Sequence, residues 1–256
     1  MRSRNFIAKL IADGCKSLNQ KYENRNYDFH TNGEEVLLRK LSKYDFNILF
    51  DVGGNIGDYS KLLRDNFPGA EIHIFEIVKE NISLIKNNLQ GDVNTVINEF
   101  GLSDKTTSVA IKYYGKGSGV NSMHDYPHKG ETKWIEGDAV KGDEYITNNN
   151  IDHIDLLKID VEGSEHLVLA GLSDTLKQKK IRVIQFEYGY INIITKYLLH
   201  DFYKLFKEAG YIVGKVYPQR VEFKEYTLKD ENFFGPNYVA VKSTDEDMIR
   251  ILSEKA

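Results

Sequence analysis

The sequence predicts an α/β fold with a mostly parallel sheet and an antiparallel hairpin at one edge. Three observations predict it. Short apolar runs alternate with helical periods from residue 34 onward. Two of those runs stop in acids and glycines, at Asp51-Val52-Gly53-Gly54 and at Asp160-Val161-Glu162-Gly163. The last two runs, near Tyr211 to Val216 and Tyr238 to Val241, have no clear helix between them. Parallel neighbours need a crossover, so this last pair reads as a hairpin.

The elements follow in order. Residues 4 to 22 place Phe6, Ile7, Leu10, Ile11, Cys15 and Leu18 at helical spacing, with Arg2, Arg4, Lys9, Lys16 and Lys21 available for the polar side. Such a stripe is expected to pack on its own domain; a homodimer contact or a weak membrane-surface contact are the alternatives. Cys15, the one cysteine, is expected to be a small buried apolar residue of that stripe. Residues 1–25 thus read as an N-terminal amphipathic extension, 26–243 as the main domain and 244–256 as a C-terminal tail. Helix is expected over Glu34 to Leu41, Tyr59 to Asn66, Glu80 to Leu89, Glu165 to Ala170 and Tyr197 to Ala209. Strands are expected over Asn47 to Asp51, Glu71 to Glu76, Thr95 to Phe100, Ile154 to Asp160 and Arg182 to Glu187. Tyr114 to Gly137, rich in glycine and hydrogen-bonding groups but without apolar period, reads as a loop or lid, with His124 and Tyr126 as candidate acceptor contacts. His124 and His128 are four apart, but Pro127 and the surrounding glycines argue against a helix-borne metal pair.

Composition sets the class. With 256 residues, 41% hydrophobic and 28% charged, the chain can form one sizeable globular domain. A net charge of -4 gives no basic field for nucleic acid. No apolar run approaches the ~20 residues of a transmembrane segment, and no signal core is evident, so a cytoplasmic location is expected. One cysteine permits no intrachain disulfide.

Chemistry concentrates at the strand ends. Asp51 to Asp58 follows the run Ile48-Leu49-Phe50, and Glu76 ends the next run, Ile72 to Phe75. A glycine turn lets backbone approach a ligand, and an acid on the neighbouring strand can accept both hydroxyls of a ribose. A phosphate-cradling loop needs Lys and then Ser or Thr after its last glycine, whereas Asp58-Tyr59-Ser60 stands here. The dinucleotide fingerprint fails too, since Asn55 and Asp58 occupy its second and third glycine positions. Acids before and inside the turn suit a cationic ligand without phosphate, such as S-adenosylmethionine (SAM). Asn55 is tolerable in the turn because Asn adopts left-handed backbone more readily than most residues.

The block Lys158-Ile159-Asp160-Val161-Glu162-Gly163-Ser164-Glu165 again ends an apolar run in acids and glycine. Together with Asp51 to Ser60, Phe75-Glu76 and Gly101-Leu102-Ser103-Asp104, it resembles the FkbM family of SAM-dependent methyltransferases. The likeness runs from about Asn26 to Lys242, including Asn32-Gly33-Glu34 and Asn237 to Val241; Ile77 and Gly54 depart from the usual Pro and Ala. It implies a Rossmann-like class I methyltransferase fold with a seven-stranded sheet. It also implies SAM as cofactor and O-methylation of a sugar or glycoconjugate hydroxyl, such as a surface polysaccharide precursor. N- or O-methylation of a small natural product and a non-catalytic nucleoside-binding protein are the alternatives. Cofactor contacts are expected from Asp51, Gly53, Gly54, Asn55, Gly57, Tyr59, Ser60, Glu76, Leu102, Ser103 and Asp160. Asp160, Glu162 and Glu187 are the candidate catalytic acids, with Tyr188 and Tyr190 as further acceptor contacts. Those acids can act as a direct base or through Mg²⁺; the direct base is preferred because no further Asp follows Glu187 to complete an oxygen-rich site. Lys158, inside an apolar strand, must find a carboxylate or solvent, and Glu162 or Glu187 is expected.

Overall fold

A computed structural model describes residues 5–256. The elements are α1 (Phe6–Tyr22), α2 (Glu34–Leu41), β1 (Ile48–Val52), α3 (Asp58–Asn66), β2 (Glu71–Phe75), α4 (Lys79–Asn88), β3 (Thr95–Asn98), β4 (Gly101–Ser103), β5 (Thr107–Tyr113) and β6 (Lys133–Lys141). There follow α5 (Gly142–Asn148), β7 (Ile154–Ile159), α6 (Glu165–Gly171), α7 (Ser173–Lys177), β8 (Ile181–Glu187), α8 (Asn192–Thr195), α9 (Leu199–Glu208), β9 (Tyr211–Tyr217), β10 (Arg220–Phe223), β11 (Asn237–Lys242) and α10 (Glu246–Ser253).

The main sheet runs β10-β9-β11-β8-β7-β1-β2-β3. The strands from β8 to β3 pair in parallel, and β11 and β9 close the edge antiparallel. These include the seven strands expected, mostly parallel with an antiparallel edge, to which β10 adds an eighth, outermost strand paired to β9. β7 lies in the middle, and all six of its residues are buried because helices cover both sheet faces. On one face, α9 presents Leu199, Phe202, Tyr203 and Phe206 to the core, an i, i+3, i+4, i+7 stripe. On the other, α2, α3 and α4 cover the sheet.

Four expectations are corrected. α1 forms but has no buried residue, so its apolar stripe does not pack on the domain, and Cys15 is exposed. Arg2 and Arg4 lie outside the described residues. Residues 244–256 hold α10, whose Met248 and Leu252 are fully buried, and the Lys40 ammonium donates to the Leu252 carbonyl at 3.2 Å. Gly101 to Ser103 is a strand rather than a turn. It belongs to a second, three-stranded sheet, β4-β6-β5, and Lys133 to Gly137 lie in β6, which leaves 114–132 as the connecting loop.

Candidate active site

Parallel strands deliver their carboxyl ends to one edge of the sheet, and there the loops after β1, β2 and β7, with the loop after β5, enclose a cleft. The first of these is the glycine turn. Gly53 and Gly54 donate to the Phe75 carbonyl at 2.9 and 3.1 Å, folding the turn over β2. Gly53 has φ 91°, and a Cβ there would stand 1.8 Å from the Asp160 carbonyl oxygen, so only glycine lets the β1 and β7 ends approach this closely. Asn55 takes the left-handed conformation, φ 46°.

Glu76 lines the cleft and is 5% exposed. Its two oxygens accept the amides of Asn55 at 2.6 Å and Val78 at 2.7 Å. Burial pushes its carboxyl up to about 7, against the pull of those two amides. Each oxygen retains a lone pair for another donor. Apolar Ile77, Leu102, Ile111 and Ala139 form the adjoining slot.

Asp160 and Glu162 also line the cleft, and with Glu187 behind them they bring carboxylate oxygens within 4.8 Å of one another. Burial, followed by the charges of Asp160 and Glu165, lifts Glu162 well above the ordinary carboxylate range. Burial, followed by Asp160 and Glu162, does the same to Glu187. Glu162 is held at φ 51° by its turn. Glu165 shapes that turn by accepting the amides of Val161 and Gly163, each at 3.1 Å, as an acid at the opening of α6 does.

The loop after β5 crosses this cleft. The Gly117 amide donates to Asn81 at 2.8 Å on one side, while the Ser122 hydroxyl donates to the Glu162 carbonyl at 2.7 Å on the other. His124 Nε2 lies 3.1 Å from the Ser164 hydroxyl. Ser122 and Met123 thereby line the cleft, with His124 beside them. Tyr126 is half-buried and packs on His128, 4.7 Å between ring centroids.

Several predicted residues lie elsewhere. Asp51 and Ser60 face each other beneath the turn, Oγ to Oδ2 at 2.5 Å, both with no exposure. Lys158 pairs not with Glu162 or Glu187 but with Asp160 at 3.2 Å and Asp51 at 3.5 Å. Burial works against its charge, and Asp160, Asp51 and Glu34 outweigh burial, so its pKa is raised. Tyr59 receives that ammonium over its ring at 4.5 Å and donates to Gln185 at 2.7 Å, and Gln185 in turn donates to Glu34 at 2.6 Å. Gly54 and Tyr59 border a neighbouring hollow that also reaches Gly53, Asn55 and Asp160. Gly57 caps α3 and does not line the cleft. Ser103 is buried in β4 and donates to Asp104 at 3.1 Å. Tyr188 is corrected: it is fully buried in the core against Phe233 and Tyr238, its hydroxyl turned to Glu231, and it cannot reach an acceptor.

Tyr190 is partly exposed, and the Arg25 guanidinium lies 4.8 Å over its ring. Arg25, Tyr27 and Asn81 were missed by the sequence reading, whereas Ser122 lies in the loop expected to cover the site. Tyr27 stands close enough to Glu187 and Glu162 for their charges, after burial, to raise its phenol. No local pattern marks Arg25 and Tyr27, because they reach the site from ahead of the first strand.

The sheet order, with acids at the ends of β2, β7 and β8, is that of a Rossmann-like α/β fold. The methyltransferase FkbM domain matches residues 51–213, and the chain belongs to that family. It is 27% identical over 149 residues to Methyltransferase 1 of Beauveria bassiana, covering 51% of this chain and 60% of that protein. It is 24% identical over 192 residues to the hexuronic acid methyltransferase AglP of Haloferax volcanii, covering 72% and 77%. It is 26% identical over 158 residues to the 31-O-demethyl-FK506 methyltransferase FkbM of Streptomyces tacrolimicus, covering 50% and 60%. The chain thus spans about 60% of the length of two of these relatives.

Proposed function

We propose that this chain transfers a methyl group from SAM to a hydroxyl of a sugar or glycoconjugate. The observation that carries the proposal is the gathering of Asp160, Glu162 and Glu187, two of which, Asp160 and Glu162, line the same cleft as Glu76. The relative named for hexuronic acid supports a sugar acceptor, while the relative named for FK506 favours a small natural product as the second reading. Three carboxylates with Glu162 and Glu187 lifted in pKa suit proton removal better than passive nucleoside binding, which needs no such group.

Bound SAM supplies a methyl group already activated on a sulfonium. The chain's own residues align and deprotonate. Glu76 would hold the ribose hydroxyls on its free lone pairs, and Ile77, Leu102, Ile111 and Ala139 would form the apolar walls for the adenine. Gly53 and Asn55 let the turn's backbone come close. Asp51 and Ser60 act one layer further in, holding the turn rather than touching the ligand. The acid trio accepts the proton that an alcohol must lose as the new bond forms. The loop over 114–132 excludes water through its contacts to Asn81 and Glu162.

Calorimetry of the purified chain is expected to show SAM and its demethylated product binding, and neither NAD nor ATP, because the turn lacks the Lys, the Ser or Thr after its last glycine and the glycine spacing with which phosphates are held. Incubation with isotope-labelled SAM and a panel of sugars and glycans then tests the acceptor; label entering only non-sugar acceptors would reject the sugar reading.

Glu76→Ala is expected to weaken SAM binding by about 1–3 kcal/mol, the cost of an unmade buried polar contact. In the wild type, affinity should fall as pH drops through about 7, where the raised Glu76 carboxyl takes up a proton and loses acceptor capacity. Unchanged affinity in the variant, or a flat pH profile, would remove the ribose role.

A further inference from the structure

We propose that α1 docks this protein on an anionic lipid surface. Its seventeen residues include none that is buried, and Phe6, Ile7, Leu10, Ile11 and Leu18 are each 56–72% exposed. At 3.6 residues per turn, Ile7, Leu10, Ile11, Leu18 and Tyr22 fall within an arc of roughly 120° that also takes in Lys21 near the end of the helix, with Phe6 just outside it and Lys9, Lys16 and Gln20 opposite. The helix is not long and apolar enough to cross a bilayer. A helix with this segregation and low mean hydropathy lies in the headgroup region instead.

Charge selects the occupant. The first 22 residues hold five Lys and Arg and one Asp, a net +4, while the rest of the chain, with 29 Lys and Arg against 37 Asp and Glu, carries −8. Two copies meeting through α1 would bring two cationic segments together. An anionic bilayer attracts this segment and repels the rest of the chain, so the same distribution that opposes pairing orients docking. The root of the helix is fastened: Glu23 pairs with Lys215 at 2.9 Å, and the Asn24 amide donates to the Asn32 and Val216 carbonyls at 2.7 and 3.0 Å. Arg25 and Tyr27 follow directly, beside Tyr190 and the catalytic acids. Docking would therefore hold the acceptor side of the site near the lipid surface.

Co-sedimentation of the full chain with vesicles tests this, using phosphatidylcholine alone and phosphatidylcholine mixed with phosphatidylglycerol. Binding to the mixed vesicles is expected, weaker in high salt and at least about tenfold weaker for Leu10→Gln/Leu18→Gln, whose exposed positions leave the fold intact. An environment-sensitive fluorophore on Cys15 should shift to shorter wavelength on the mixed vesicles. Wild-type protein left in the supernatant at low salt would overturn the proposal. So would equal binding to neutral vesicles, or a wild-type dimer in sedimentation velocity that the double variant dissociates.

Discussion

Glu187→Gln is expected to slow methyl transfer by about 100-fold or more while SAM binds as in the wild type. Glu187 ends β8, belongs to the carboxylate trio and is not among the residues lining the slot with Glu76, so under the proposed mechanism its loss would remove a proton acceptor and leave the cofactor contacts in place. Its pKa is raised, first by burial and then by Asp160 and Glu162. A base must be ionised to act, so turnover should be high above that raised value and fall as pH drops through it, at a pH above the ordinary carboxylate range. The three acids titrate as a coupled set, and the profile reports the set rather than one member. Asp160→Asn should also lower turnover by about 100-fold, although it removes a partner of Lys158 as well, which makes Glu187→Gln the cleaner variant. Enzyme treated with EDTA is expected to keep its activity. Loss of activity restored by Mg²⁺ would instead assign the trio to metal binding, for which its oxygen donors are also suited. Full activity in both variants would leave these acids with a structural role.

What the sequence made legible was the part written locally. The turn from Gly53 to Gly57, the acid Glu76 and the block from Lys158 to Glu165 each sit within a few residues of a strand end, so spacing alone located them. The same holds for the parallel strands and for the hairpin of β9 and β11, where the helix is missing between two apolar runs. Periodicity failed where it had no partner to name. The stripe on α1 is real, but a stripe does not say what covers it, and Cys15 followed that assumption into the core. Tyr188 was misread because it follows Glu187 directly: successive residues on an extended segment turn to opposite sides, so the neighbour of a site residue faces the core. β5 and β6 were missed because their exposed outer positions break the apolar run, and β5 alternates in burial over residues 107 to 111, while β4 is only three residues long. Lys158 was rightly expected to need a carboxylate. Its partner Asp51 is 107 residues away on the neighbouring strand, in direct register, and sequence order carries no register.

Lys158→Met should destabilise the fold by about 3–5 kcal/mol, among the largest effects available to a single substitution here. The weight falls on Asp51 rather than Asp160. Asp160 has a side chain 42% exposed, so water screens its share of the pair, whereas Asp51 has no exposure. At the 3.5 Å that separates Lys158 from Asp51, the attraction in a partly screened interior is worth about 4–5 kcal/mol, enough to offset much of the burial of both charges. Removing the cation leaves Asp51 with the Ser60 hydroxyl at its other oxygen and a buried negative charge that Ser60 cannot balance. Met fills a similar volume, so a cavity adds little to the loss. Urea unfolding of the single variant measures the effect, and Asp51→Asn/Lys158→Met isolates its cause. If the cost comes from the uncompensated carboxylate, the double variant should recover at least about half of the stability lost in Lys158→Met, a strongly non-additive result. A single-variant cost below about 1 kcal/mol, or a double variant as unstable as the sum of its parts, would show that this pair does not hold the β1 and β7 ends together.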